Sequence, residues 1–347
     1  MKRVKLSDVA AAAGVSSATV SLVLSENADG RVSEGVEKRV LAAAKKLRYS
    51  PNLVARSLRT QKSKTIGLIS DTVATTNFAG QMLAGAEEMA WKRGWLLIFV
   101  DTSADSQNEE RAIKALLQRN VEGFIYASMF HRKLDYPLQL KNQPTIFLHC
   151  SLNSPDTHSS VVPDEYASAS LAMDFLIKNG HREIGWIGIT NPTVGGRERS
   201  RAYIDAMKKL KVKDYKSLMF NTFESYANDG YVGAMKLLQG LRRPTALFCF
   251  SDRMAMGAYR AANEIGLRIP QDVSIMGFDN QPHIAEALWP PLSTMQLPHY
   301  EMGTWAAQRL IDVLENQDSE SVLCEQKVIT CKLIERDSVA PHHPMKG

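Results

Sequence analysis

Lys5-Leu6-Ser7-Asp8-Val9-Ala10-Ala11-Ala12-Ala13-Gly14-Val15-Ser16-Ser17-Ala18-Thr19-Val20-Ser21-Leu22-Val23-Leu24 is the stretch from which the rest of the chain is read. Leu6, Val9, Ala10 and Ala13 recur at helical spacing. Ser7 is a suitable N-cap, and Asp8 suits the positive end of the helix dipole. Gly14 supplies the left-handed residue that ends a helix. Val15 is an apolar plug, and either Ser16 or Ser17 can cap a second helix running to about Leu24. Val20, Val23 and Leu24 form its inward stripe, leaving Ser17, Ala18, Ser21 and Leu22 outside. A third helix, capped by Ser33, carries Val36, Val40, Ala43, Ala44 and Leu47. Two short helices joined by a tight turn form the helix-turn-helix pattern, whose second helix enters a DNA major groove.

Charge distribution agrees with that pattern. The 347 residues carry a formal net charge of +5. Residues 1–62 hold 12 Lys/Arg against 5 Asp/Glu, an excess of +7. The remaining residues hold 30 basic and 32 acidic side chains, a net of −2. A basic head on a near-neutral body suits a polyanion-binding segment joined to a separate domain. Apolar residues at 44% exclude a largely disordered chain. The longest strongly apolar run, Trp95 to Val100, is too short to span a bilayer. No apolar stretch precedes Asp8, so a secretory signal is not expected and a cytoplasmic location is. The scattered Cys150, Cys249, Cys324 and Cys331 fit neither a disulfide framework nor a metal knuckle.

From residue 65 onward, apolar runs alternate with amphipathic stretches. The expected strands are Thr65–Ser70, Trp95–Asp101, Gly123–Ser128, Thr145–Cys150, Glu183–Ile189, Lys216–Phe220, Ala246–Ser251 and Val273–Phe278. Alternation of this kind gives parallel sheets covered by helices, and two series imply two lobes. Ligands of such sheets sit beyond the carboxyl ends of the strands, which places a site between the lobes. No phosphate-binding loop, dinucleotide fingerprint or nucleophile elbow is present, so no catalytic residue, metal or cofactor is assigned. His342 and His343 lie in a Pro-flanked tail expected to be disordered, and His181 is read as a turn residue.

Tyr49-Ser50-Pro51-Asn52-Leu53-Val54-Ala55-Arg56-Ser57-Leu58-Arg59 reads as a short helix begun at Pro51. Leu58, flanked by Arg56 and Arg59, suits a wedge driven into a base step. With Lys5–Ala10, Ala13–Ser16 and Thr19–Ser21, this stretch makes the chain resemble the lactose and purine repressor family over essentially its whole length. The resemblance implies a helix-turn-helix domain over 1–48 and a hinge helix over 49–62. It further implies a two-lobed, periplasmic-binding-protein-like α/β core. Its lobes are placed at 63–162 with 294–322 and at 163–293 with 323–340, before a tail at 341–347. Chain crossovers are expected near 162, 293 and 322.

The DNA-contacting residues implied are Ser7, Ser16, Ser17, Ala18, Thr19, Ser21, Leu22, Arg31, Ser33, Tyr49, Asn52, Ala55, Arg56 and Leu58. Leu22 stands where many members have a polar base reader, and Val36 replaces a common threonine. Effector contacts implied are Asn77, Phe78, His149, Asp164, Arg199, Ser251 and Asp279, with Arg199 chosen over Arg197 and Arg201. The residues about Asp71–Phe78, Pro163–Tyr166 and Pro290–His299 resemble sucrose operon repressors, and Trp289 is a further stacking candidate. The expected function is a homodimeric repressor of a pseudo-palindromic operator, modulated by a small carbohydrate in the cleft. The competing assignments are a cytoplasmic sugar-binding protein and a sugar-modifying enzyme.

Overall fold

The computed structural model describes residues 4–24, 31–49, 62–73, 79–154, 158–191, 193–316 and 324–342. The chain divides into two compact units, Met1–Ser63 and Lys64–Gly347.

In the first unit, α1 (Leu6–Ala13), α2 (Ser17–Leu24) and α3 (Glu34–Lys46) enclose a small core. Val9, Ala10, Ala13, Val20, Val23, Val40, Ala43 and Ala44 are buried there. Gly14 closes α1 at φ 66°, the left-handed conformation that costs glycine least. The expected cap at Ser7 is not found. Ser7 lies inside α1, Lys5 holds the N-cap, and the Asp8 carboxylate accepts the Lys5 backbone N–H at 2.8 Å. Between the two serines, Ser16 is the one that caps α2, its hydroxyl accepting the Thr19 N–H at 3.1 Å.

The second unit opens with β1 (Thr65–Ser70), α4 (Gly80–Lys92), β2 (Leu96–Asp101), α5 (Ser106–Leu117), β3 (Gly123–Leu134), β4 (Thr145–Leu152) and β5 (Ser160–Pro163). It continues with α6 (Glu165–Lys178), β6 (Ile184–Ile189), α7 (Val194–Lys209), β7 (Met219–Thr222), α8 (Ala227–Leu238), β8 (Ala246–Cys249), α9 (Asp252–Glu264) and β9 (Ser274–Met276). Last come α10 (Pro282–Ala285), β10 (Thr294–Gln296), α11 (His299–Glu315), β11 (Gln326–Ile329) and β12 (Lys332–Ile334). One sheet has the order β11-β5-β4-β3-β1-β2 and the other β7-β6-β8-β9. All pairings within both are parallel, whereas β10 and β12 pair antiparallel where the chain passes between the lobes. β1 is buried along its whole length, as a central parallel strand covered on both faces must be.

Two expectations shift. The third crossover falls after Ile329, not near 322, because β11 joins the first sheet. It covers the otherwise unpaired edge of β5, with Ser160 N–H donating to Glu325 O at 3.0 Å and Asp164 N–H to Ile329 O at 2.8 Å. Lys216–Phe220 is not one strand. A tight 3₁₀ turn takes Tyr215–Leu218, helped by the Ser217 hydroxyl bonding Asp214 O at 2.9 Å, and β7 starts only at Met219. The Pro-flanked tail is also more ordered than expected at its start: His342 N–H donates to Asn179 O at 2.7 Å.

Helix pairs in both lobes approach backbone to backbone through glycine. A Cβ at Gly257 of α9 would stand 1.9 Å from the Ala227 carbonyl oxygen of α8, and one at Gly85 of α4 would stand 2.1 Å from Tyr300 O of α11. Neither neighbour is a side chain that can rotate away. Gly257→Ala is therefore expected to cost roughly 1–3 kcal/mol in urea unfolding. Gly35→Ala, with nothing within 4 Å of the added atom, should leave stability at or above wild type.

Candidate functional site

The outer face of α2 carries an open groove of about 630 Å³ lined by Val15, Ser16, Ala18, Thr19, Leu22, Arg31, Val32, Ser33 and Val36. Six of the expected DNA contacts thus share one concave surface. Ser17 and Ala18 are exposed at the start of α2, Ser21 and Leu22 are half-buried, and Ser7 is exposed on α1. Tyr49 packs against the core of this unit. Asn52, Ala55, Arg56 and Leu58 lie outside the described residues, as do Asn77 and Phe78.

The second site is a cleft in the larger unit. It is lined by Met129, Phe130, His131, His149 and Leu297, and by Glu165, Thr193, Gly195, Arg199, Ser225, Phe250, Ser251, Arg253 and Asp279. A small void of about 30 Å³ remains between these groups.

Arg199 is the centre of the second lobe's face. It projects inward from α7 and is 4% exposed, whereas Arg197 and Arg201 turn outward to Glu198. Its Nε donates to Glu165 Oε2 at 2.6 Å and its Nη1 to Phe250 O at 2.8 Å, with Asp279 Oδ1 at 3.5 Å. The guanidinium lies 3.6 Å from the Phe278 ring centroid and 4.6 Å from that of Phe250. Burial opposes its charge, and Glu165 and Asp279 more than offset that, so Arg199 stays ionised. Burial also works against the Glu165 carboxylate, but Arg199 and then His131 pull its pKa down to about 2. Burial pushes Asp279 the other way, up to about 6, despite Arg199, Gln281 and Arg253. Asp252, behind it, is raised well above the ordinary value by burial and by Asp279.

Glu165 was not among the effector residues expected from the sequence. The neighbouring Asp164 was, yet its side chain caps α6 by accepting the Ala167 N–H at 2.9 Å. The cleft is lined by Glu165 instead. Ser251 both lines the cleft and caps α9, its hydroxyl accepting the Met254 N–H at 3.3 Å. Trp289 is 87% exposed and lines a different groove with Pro270, Pro290 and Pro291, so it does not reach the cleft. His181 is tied to Thr245 and Ala340 at 2.9 and 3.1 Å, in keeping with a structural turn.

The first lobe contributes imidazoles. Asp71, just past β1, accepts the Met129 N–H at 2.8 Å and the Ser128 hydroxyl at 2.9 Å. That fixes the register shift in β3 between Ala127 and Arg132 and presents His131 to the cleft. His131 Nδ1 lies 3.6 Å from Glu165 Oε1, a contact from one lobe to the other. His149 is 3% exposed, adopts φ 59°, and has no hydrogen-bond partner on either ring nitrogen. Its ring centroid lies 6.2 Å from that of His131 and 5.2 Å from that of His299. Burial, then His299 and His131, hold its pKa well below 6.5. A buried side chain with unspent donors and acceptors on a strained backbone marks a ligand contact more readily than a packing residue. The signal available in sequence was a polar residue ending an apolar strand.

Among the described residues no group of His, Cys, Asp and Glu could hold a metal ion, and no single helix is long and apolar enough to cross a membrane.

A family model described as bacterial regulatory proteins, lacI family, matches residues 5–52, and one for a periplasmic binding protein-like domain matches residues 173–339. The HTH-type transcriptional repressor PurR of Serratia proteamaculans (strain 568) is 34% identical over 346 residues, 96% of each chain. That of Proteus mirabilis (strain HI4320) is 33% identical over 341 residues, again 96% of each. Among solved structures, the lac repressor dimer bound to operator and the anti-inducer ONPF has a TM-score of 0.79 at 25% identity, covering 98% of this chain and 100% of that one. A complex of the transcriptional regulator CelR with cellobiose has a TM-score of 0.67 at 25% identity, covering 97% and 100%.

Two outcomes follow from the buried charges. Arg199→Met leaves Glu165 and Asp279 without their cation and is expected to cost about 3–5 kcal/mol in urea unfolding at neutral pH. For His149, the folded pKa lies below the unfolded one, so its contribution is present above pH 6.5 and is lost as pH falls through that value. Asp279 acts oppositely, its contribution being present at low pH and lost as pH rises through about 6. His149→Asn, which tolerates a left-handed backbone, should lose less stability than wild type between about pH 7 and about pH 5.5. Parallel stability profiles for the two proteins would refute this.

Proposed function

This chain belongs to the lacI family of bacterial regulatory proteins and is a DNA-binding transcription repressor; from that premise we propose that its cleft binds a small carbohydrate and couples that binding to operator affinity. The observation that carries the reading is the convergence of Arg199, Glu165, Asp279 and the unpartnered His149 on one cleft with almost no free volume. Hydroxyls both donate and accept, which suits an imidazole beside carboxylates and a guanidinium. A sugar fits only if the lobes part. A ligand that favours one lobe arrangement shifts the population towards it, and that differential affinity is the whole of the coupling energy.

On the DNA side, the groove formed by Ser16, Ala18, Thr19, Leu22, Arg31 and Ser33 supplies the readout. Leu22 cannot hydrogen-bond guanine but can pack on a thymine methyl. The basic excess in residues 1–62 holds phosphates, and Leu58 acts as the wedge at the centre of a pseudo-palindromic operator bound by a homodimer. The dimeric lac repressor–operator complex supports the assembly, and the CelR–cellobiose complex supports the ligand class. Sucrose is the first member to test. The relatives named PurR make a purine base the competing ligand.

Deletion of residues 1–62 should abolish operator binding in fluorescence anisotropy while sugar-induced thermal stabilisation persists; unchanged DNA affinity would reject the assignment. The full chain screened by thermal shift should be stabilised by at least one neutral sugar and not by adenine, guanine or hypoxanthine. Stabilisation by a purine alone would transfer the cleft to the competing reading. Leu58→Ala should weaken operator binding more than binding to random DNA, since a wedge acts only on the deformed site. Equal losses on both DNAs would show that Leu58 does not act as one.

A further inference from the structure

We propose that Glu165 sets the charge selectivity of the cleft, admitting neutral polyhydroxylated ligands and excluding those that carry a carboxylate or a phosphate. The inference rests on the reading of the cleft as the effector site. Arg199 is the group an acidic ligand would seek, because a guanidinium matches carboxylate and phosphate geometry. Here that guanidinium is already engaged. Its Nε is held by Glu165 at 2.6 Å and its Nη1 by the Phe250 carbonyl at 2.8 Å, with Asp279 at 3.5 Å. Phe278 and Phe250 cover it. Glu165 therefore stands where the acid group of a ligand would otherwise stand.

The local structure is built to keep Glu165 there. The residue opens α6 directly after the Asp164 cap and is 3% exposed. Gly195 at the start of α7 leaves it room, since a Cβ at that position would approach Glu165 Oε1 to 3.1 Å. The same oxygen faces His131 across the cleft at 3.6 Å. An entering anion would meet the buried carboxyl groups of Glu165 and Asp279, where like charges repel more strongly than in water and a lost hydration shell is poorly replaced. Arg253, half-buried, is the only further arginine or lysine lining the cleft among the described residues; its Nε is buried without a hydrogen-bond partner, and its charge is balanced through space by Asp279. On the opposite face, His131 Nδ1 and both ring nitrogens of His149 are without hydrogen-bond partners. A neutral imidazole offers one donor and one acceptor, the pair that a hydroxyl satisfies and a phosphate does not.

The test uses matched ligands on the full chain by isothermal titration: glucose with gluconate and glucose 6-phosphate, cellobiose with cellobionate, and sucrose with sucrose 6-phosphate. The neutral member that binds should bind at least about tenfold tighter than its acidic partners, since like-charge juxtaposition in an interface exceeds that factor. Glu165→Gln, which keeps the shape and removes the charge, should narrow the gap by about tenfold, and Glu165→Asp should restore it. The wild-type comparison stands even if the Gln variant is unstable. An acidic ligand that binds wild type as tightly as its neutral partner overturns the proposal and leaves the effector reading in place. Absence of binding by every compound, neutral and acidic, overturns both.

Discussion

A buried guanidinium stays charged, so its burial is costly unless acids answer it, and most of the cleft is arranged around that requirement. Arg199 comes from α7, Glu165 from the start of α6, and Asp279 from the segment after β9, while the Phe250 carbonyl comes from the end of β8. Four separate elements are thus tied at one point, close to where the chain passes between the lobes. The cost of burying these charges is offset only if the geometry of all four holds together. A ligand that alters this geometry acts on the elements that join the lobes. This is the physical basis on which cleft occupancy can bias the whole unit.

The two lobes approach that point with different chemistry. The second lobe brings opposed, mutually neutralising charges. The first brings imidazoles, of which His131 sits on the irregular part of β3 that Asp71 grips, while His149 comes from β4 and His299 from the start of α11. His149 is the most exacting of them, because its backbone is left-handed and its ring nitrogens are unpaired. Strain and unsatisfied polarity together cost stability, and such costs persist where a ligand later repays them. The small unit obeys a simpler rule. Its core is Val and Ala from three short helices, and the exposed polar side chains lie on the outer faces of all three.

Much of this was legible in the sequence. The i, i+3, i+4 spacing from Leu6 to Ala13, the break at Gly14 and a serine cap at Ser16 or Ser17 are local features, and they produce the first two helices with little help from elsewhere. The apolar runs that became β1, β4 and β6 were equally plain, since a parallel strand buried on both faces has no polar alternation to confuse it. The four short strands β5, β10, β11 and β12 were missed. Each has only three or four residues and exists because a distant partner covers it. The third crossover was misplaced for the same reason, because nothing local to Gln326–Ile329 shows that it pairs with Ser160–Pro163.

By itself, then, the sequence determined the helix-turn-helix unit, the basic head on a neutral body and the two-lobed α/β plan, because periodicity, capping and charge are properties of neighbouring residues. Only the tertiary structure decided which acidic residue faces the cleft. Asp164 and Glu165 are adjacent, and their order relative to the first turn of α6 makes one a helix cap and turns the other towards Arg199. Arg199 was already singled out by the resemblance, and the structure supplies the reason it differs from Arg197 and Arg201: each lies two residues away, about 200° round the helix, and faces solvent where Arg199 is buried. Trp289 was sent to a different surface by the path of the chain around Pro290 and Pro291. In each case the deciding quantity is a direction in space fixed by packing partners far away in the chain, and no local pattern encodes it.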